Sequence, residues 1–185
     1  MSTVNEAEIF AAVGRRLSKD GNVTLQNVVA DTGVSIGSLY HKYGSREVLL
    51  ARTWIDAVKA SQAKFLKALG SEHENAGELA ALATPKFCRK DRGRAIILAC
   101  CRKSEFITDA LPDEIRQEID SINDKMLVAI KQYSKQSGLS LDACMMGFVA
   151  FPLGAVRMYL PDKPVPRSVD DYVLAAFRSL SGKCK

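Results

Sequence analysis

Two histidines, one tryptophan and six prolines are scattered through 185 residues, and each scarcity narrows what the chain can do. With histidines only at positions 41 and 73 and no CxxC pair, no metal-ligand spacing is present, and no metal is expected. No P-loop, dinucleotide fingerprint, HExxH or EF-hand loop occurs either, so no cofactor is expected. No apolar run reaches the roughly 18 residues of a membrane span. The N-terminus, MSTVNEAEIF, lacks the basic and apolar regions of a signal peptide. The chain is therefore read as cytoplasmic, without a membrane partner. The five cysteines, Cys88, Cys100, Cys101, Cys144 and Cys184, are odd in number. In a reducing compartment they read as small buried hydrophobes. A thiol-sensing role for Cys100 and Cys101 is the alternative, and it needs one thiolate exposed and acidified. Nothing alternates with the period of a strand, so the fold class is all-α.

Apolar residues make up 47% of the chain, enough to bury a substantial core. The net charge is +5, but it is unevenly placed. Residues 1–47 hold five bases (Arg15, Arg16, Lys19, Lys42, Arg46) and five acids (Glu6, Glu8, Asp20, Asp31, Glu47). Between Lys86 and Lys103 there are seven bases (Lys86, Arg89, Lys90, Arg92, Arg94, Arg102, Lys103) against Asp91 alone. That run is either a solvated helix face and loop or a pocket wall favouring an anionic effector.

The most informative stretch is Thr24 to Leu50, TLQNVVADTGVSIGSLYHKYGSREVLL. Thr24 can N-cap a helix with Leu25, Val28 and Val29 on one face, and Gly33 can end it in the left-handed conformation. Ser35 can cap a second helix in which Ile36, Leu39 and Tyr43 recur at i, i+3 and i+7 as one buried stripe. Gly37, Ser38 and His41 then lie on the other face, with Tyr40 at its edge. Gly44 stops that helix and Ser45 caps a third, which begins at Arg46. Two helices joined by a tight glycine turn, the second with a small polar outer face, read as a helix-turn-helix able to enter a major groove.

These residues resemble the N-terminal domain of TetR-family transcriptional regulators. The match runs through Thr24, Val28, Val29 and Ala30, then Gly33, Val34 and Ser35, then Gly37, Ser38, Leu39 and Tyr40, then Tyr43, Ser45, Arg46, Glu47 and Leu49. Ile9, Phe10, Val13 and Leu17 look like the family's first helix, ending at Gly21. The resemblance covers about the first quarter of the chain. It implies that Thr24 and Gln26 lie at the phosphate-facing start of one helix. It further implies that Ser35, Gly37, Ser38 and His41 face the groove, that Tyr40 donates its hydroxyl to a phosphate and that Arg46 meets another. Hydroxyl donors and helix N-termini suit phosphate oxygens. Many relatives carry bases before the first helix, and MSTVNEAEIF has none.

The expected architecture is a three-helix helix-turn-helix head over residues 1–47, docked on and joined by a long fourth helix to a helical body over residues 48–185. The fourth helix is expected to reach near Gly70, with Ile55, Val58, Phe65 and Leu69 on one face. Helices are expected over 76–90 and 92–103, where AIILACC is apolar all round and so enclosed by others. Pro112 should start one helix running to Gly138, nearly 40 Å at about 1.5 Å per residue. Its stripe is Ile115, Ile119, Ile122, Met126, Ile130 and Tyr133. From Leu141 to Tyr159 the small residues Ala143, Gly147, Ala150 and Gly154 line one side of a helix that Pro152 kinks. Ser168 should cap the final helix, with Val173, Ala176, Phe177 and Leu180 on one face.

The family resemblance implies a homodimer through these last two helices, with Gly147, Ala150, Gly154, Val173, Ala176, Phe177 and Leu180 at the interface. It also implies a double-stranded operator and a small organic effector, and favours a repressor over an activator. Intramolecular packing alone is the other account of the small-residue stripe. Two competing functions stand beside regulation. One is a helical protein-interaction module without specific DNA binding. The other is a serine hydrolase using the G-x-S-x-G at Gly33 to Gly37, a chemistry that needs a strand before the serine. A helix is expected before the motif instead, the only histidines after it are His41 and His73, and the chain is not expected to be an enzyme.

Overall fold

The structure is a computed structural model that describes residues 5–182, and every regular element among them is helical. Met1–Val4, part of the base-free N-terminal arm, and Cys184 lie outside the described residues. The helices are α1 (Glu6–Asp20), α2 (Leu25–Thr32), α3 (Ile36–Tyr43), α4 (Arg46–Leu69), α5 (Ala76–Ala81), α6 (Ala83–Lys90) and α7 (Arg92–Cys100). After a 3-10 turn at Lys103–Glu105 come α8 (Asp113–Ser121), α9 (Asp124–Ser137) and α10 (Leu141–Met145). A π turn at Met146–Ala150 then leads into α11 (Phe151–Arg157), and α12 (Ser168–Leu180) closes the chain. No described helix is long and apolar enough to cross a membrane.

Two compact units emerge, one from residues 1–58 with 92–121 and one from residues 59–91 with 122–185. The first is built around Ile9, Phe10, Val13 and Leu17 of α1, which meet Val28 of α2, Leu39 and Tyr43 of α3 and Leu49 and Leu50 of α4. Ile97 of α7 and Phe106 complete that core. It therefore reaches beyond residues 1–47, taking in the first half of α4 and a segment from later in the chain. The reason is visible at Gly14, where a Cβ would come within 2.8 Å of Ile97 Cγ1 and 3.4 Å of the Gly93 carbonyl. Lacking that atom, α1 seats directly on α7. Ala95, Ile96, Ile97 and Ala99 are buried, as an apolar helix enclosed by others should be.

The second unit centres on Phe148, whose ring stacks on Phe177 at 5.1 Å and meets Phe65 and Tyr133 edge-on at 5.4 and 5.2 Å. Gly77 lets α5 close on this cluster, since a Cβ there would lie 2.2 Å from the Tyr133 hydroxyl and 2.9 Å from Phe177.

Four elements differ from expectation. The 76–90 segment breaks at Leu82, ahead of Pro85. The long helix breaks at Ile122 and Asn123: Ser121 Oγ donates back to the Gln117 carbonyl, and Asn123 Oδ1 accepts from Gln62 Nε2 at 2.8 Å. Such local side-chain bonds compete with the helix ladder. Ahead of Pro152, the Phe151 N–H bonds to the Met146 carbonyl, a five-residue step. A π turn of this kind accommodates a ring that would otherwise strike the carbonyl four residues back. Finally, Ser168 is the first helical residue of α12 rather than its cap; Arg167 occupies the cap position without a side-chain bond.

Candidate nucleic-acid interface

The helix-turn-helix is fixed by its punctuation. Thr24 Oγ1 accepts from the Asn27 N–H at 3.2 Å, and Gly33 takes φ 69° to end α2. Two residues later Ser35 Oγ accepts from the Ser38 N–H at 3.1 Å and starts α3. Gly44 then bonds back to the Tyr40 carbonyl, and Ser45 Oγ accepts from the Val48 N–H at 3.2 Å to start α4. Each cap satisfies one of the backbone donors that a helix start leaves open.

Leu39 and Tyr43 anchor α3 inward, being 1% and 7% exposed. Tyr43 packs near Phe10 at 6.3 Å and donates its hydroxyl to Glu6 Oε1 at 3.2 Å. Ile36, expected in the same stripe, is 39% exposed. As the first residue of α3 it stands about 10 Å along the axis from Tyr43. On the outer side Gly37, Ser38 and His41 are exposed, and Tyr40 is 53% exposed and turned outward. Gln26 at the start of α2 is exposed, while Thr24 is half-buried in its capping role. On α3 itself the exposed residues form one polar strip, with Ser35 Oγ and Ser38 Oγ 2.8 Å apart at its start.

Arg46, which the resemblance aims at a phosphate, is bonded within the chain. Its Nε donates to the Val23 carbonyl, its Nη2 to Asn22 Oδ1 at 3.0 Å, and its Nη1 lies 3.6 Å from Glu47. The side chain thus ties the α1–α2 turn to the start of α4. A second tie joins α1 to α2: Arg16 grips Asp31 with two bonds, 2.8 and 2.6 Å, and reaches Asp20 at 3.3 Å. The hydrogen bonds from Arg16 hold the Asp31 carboxyl below its ordinary range, against the opposing effect of desolvation. Sequence reasoning also passed over Lys42, whose Nζ is 3.1 Å from Glu6 Oε1.

Ser35, the middle of G-x-S-x-G, caps α3 immediately after the glycine that ends α2. A nucleophile elbow instead needs a strand leading into the serine. The seven-base run is divided between the two units and partly neutralised. In one unit Arg89 holds Asp170 through two bonds, 2.7 and 2.9 Å. In the other Arg94 holds Asp56 at 2.6 Å, and Lys103 lies over the Trp54 ring at 5.7 Å. Cys88 and Cys144 are buried and Cys100 and Cys101 half-buried.

In the second unit the expected interface residues fall into two groups. Gly147, Val173 and Phe177 are buried inside the chain; a Cβ on Gly147 would lie 2.8 Å from Phe177. Within the chain, Gly147 thus brings the π turn against Phe177 of α12. Ala150 and Gly154 are exposed, and Ala176 and Leu180 half-buried. Ala150, Gly154 and Ala176 share an open apolar groove with Phe151, Ala155, Tyr172 and Val173. Phe151, Met158 and Tyr172 are exposed at 42%, 82% and 67%, and the small-residue stripe alone did not reveal them. Spacings of four from Ala150 through Gly154 to Met158 would have.

No family model and no curated protein matches the chain by sequence. Solved structures do match over nearly its whole length. PfmR from Thermus thermophilus, a TetR-family transcriptional regulator, superposes with a TM-score of 0.73 at 18% identity, covering 96% of this chain and 98% of that one. A protein from Rhodococcus sp. described as a TetR-family regulator gives 0.69 at 17% identity, covering 95% and 98%. One from Shewanella sp. PV-4, described likewise, gives 0.64 at 14%, covering 94% and 96%. With TM-scores of 0.64 to 0.73 over nearly complete mutual coverage, the chain has the TetR-type fold.

Proposed function

We propose that the protein is a cytoplasmic, one-component transcriptional repressor without enzymatic activity or cofactor, with residues 1–47 as its DNA-binding head and 48–185 as its effector-binding and dimerisation body. The observation that carries this reading is the polar strip on α3. Gly37, Ser38, Tyr40 and His41 are all exposed there while Leu39 and Tyr43 lock the helix from behind. Ser38 and His41 read base edges, Gly37 admits the backbone closely, and Tyr40 and Gln26 meet phosphates. Thr24 and Ser35 act chiefly as caps that aim those helix starts, and Arg46 positions the turn while retaining N–H groups for a phosphate.

Because one such helix reads few base pairs, two are needed to specify a site, about 34–36 Å apart or a multiple of it on near-palindromic operator DNA. The open apolar face around Phe151, Gly154 and Met158 supports a homodimer that supplies the second helix. A small organic effector binding the body releases the operator if it prefers a conformation with a different helix separation; coupling of about 1–3 kcal/mol is typical.

Selection from random duplex DNA with the full chain should return a near-palindromic consensus. On that site Tyr40→Phe should weaken binding by about 0.5–1.5 kcal/mol per subunit with sequence preference unchanged. Substituting Ser38 or His41 should shift the preference. Absence of any enriched sequence would sink the regulator reading, and unchanged preference in every Ser38 and His41 variant would sink the assigned reading face.

A further inference from the structure

Lys42 and Tyr40 occupy opposite edges of the exposed strip on α3. At about 100° per residue they sit symmetrically about His41, roughly 100° to either side. A recognition helix in a major groove is flanked by two phosphate backbones, so a cation on the edge away from Tyr40 faces the second of them. In this structure that cation is engaged: Lys42 Nζ lies 3.1 Å from Glu6 Oε1. The same oxygen accepts the Tyr43 hydroxyl at 3.2 Å, which orients the carboxylate in the first turn of α1. Both members of the pair remain largely open to solvent, at 39% and 51% side-chain exposure, so the pair can exchange partners.

Resting on the reading of α3 as a DNA-reading helix, we propose that Glu6 is an electrostatic brake on DNA binding, competing with backbone phosphate for Lys42. A phosphate approaching Lys42 must displace the carboxylate and then lies beside its negative charge. The contact is therefore discounted on every DNA sequence alike. Since non-specific affinity is almost wholly phosphate neutralisation, such a brake limits how tightly the protein holds bulk DNA. It also keeps operator affinity within what a modest effector coupling can release.

The test uses the full-length protein, a random-sequence duplex and the selected operator duplex, with affinity followed by fluorescence anisotropy over a range of salt. Glu6→Gln keeps an acceptor for Tyr43 while removing the charge. It should bind both duplexes about two- to fivefold more tightly per subunit, and the log–log salt slope should steepen by about 0.9 per subunit. Lys42→Met alone should change the wild-type slope little, and Glu6→Gln added to Lys42→Met should change nothing further. A wild-type slope in Glu6→Gln overturns the proposal, as does an equal gain in the Lys42→Met background. In either case operator binding by the wild type leaves the regulator reading standing. Failure of the wild type to bind either duplex overturns that reading and the brake with it.

Discussion

Cys101 sits half-buried against the helix-turn-helix core, and burial, then the Glu105 carboxylate, then Cys100 push its thiol up to about 12. A thiol sensor needs the opposite, an exposed and acidified group, so this environment favours the packing role. The same shift has a consequence for stability. The folded state holds the Cys101 proton more tightly than the unfolded chain, whose thiol ionises near 9. The stabilisation is therefore complete below about pH 9 and is lost as pH rises from there towards 12. Denaturant midpoints for wild type and Cys101→Ser should differ by a constant amount below pH 8, and the wild type should lose ground against the variant above pH 9. A difference that stays flat to pH 10.5 contradicts the assigned environment. Tyr43, also raised by burial and by Glu6, leaves a residual decline in both proteins at higher pH. At this scale the sequence is readable where a side chain bonds to its own backbone neighbours. Thr24, Ser35 and Ser45 cap as expected because each bond spans three residues. Arg46 and Lys42 could not be read so, because their partners at Asn22, Val23 and Glu6 lie 23 to 36 residues away.

Helix ends written in glycine were legible throughout: Gly21, Gly33, Gly44 and Gly138 all carry positive φ at or beside the expected stops. Helix interruptions without glycine were not. The breaks at Leu82 and Asn123 and the π turn before Pro152 arise where a ring, a hydroxyl or a tertiary hydrogen bond outcompetes one step of the ladder, and apolar periodicity runs straight through them. The seating of α1 on α7 was likewise hidden, because it depends on the missing side chain of Gly14 more than on any residue present. It offers a direct check. A methyl at Gly14 must push against Ile97 Cγ1, a methylene next to the β-branch with little rotamer freedom, 2.8 Å away. Gly14→Ala should lower stability by about 1–3 kcal/mol despite its better helix propensity. Ile97→Ala should cost stability alone yet recover part of the loss when combined with Gly14→Ala. Simple additivity of the two changes in thermal melts would mean that the helices do not meet there.

For the molecule as a whole, charge and apolar surface point to different tasks. The helix-turn-helix residues are balanced in charge, and three of their five bases, Arg16, Lys42 and Arg46, have acidic partners within that segment. DNA affinity drawn from such a head has to come from many placed contacts, which makes doubling the head by dimerisation the effective route to an operator. The surface proposed for it is carried by α11 and α12. Ala150, Phe151, Gly154 and Met158 present an apolar strip flanked by Tyr172 and Ala176, while Phe148, Val173 and Phe177 pack beneath it. Substitutions on the two layers should therefore separate cleanly. Phe151→Glu and Met158→Glu place charges on atoms that water already reaches in the single chain, so each should keep its helix content and melt cooperatively. On the proposed homodimer, both should run as monomers in sedimentation equilibrium where the wild type should run as a dimer. Operator affinity should fall at least 100-fold, by about 2.7 kcal/mol, because binding then depends on single half-sites. Gly147→Ala, directed at Phe177 2.8 Å away, should instead lower stability by about 1–3 kcal/mol and leave the dimer in place. A Phe151→Glu, Met158→Glu double variant that remains dimeric would show that the subunits meet elsewhere. The half-site spacing expected of the operator would then have to be derived from a different pair of surfaces.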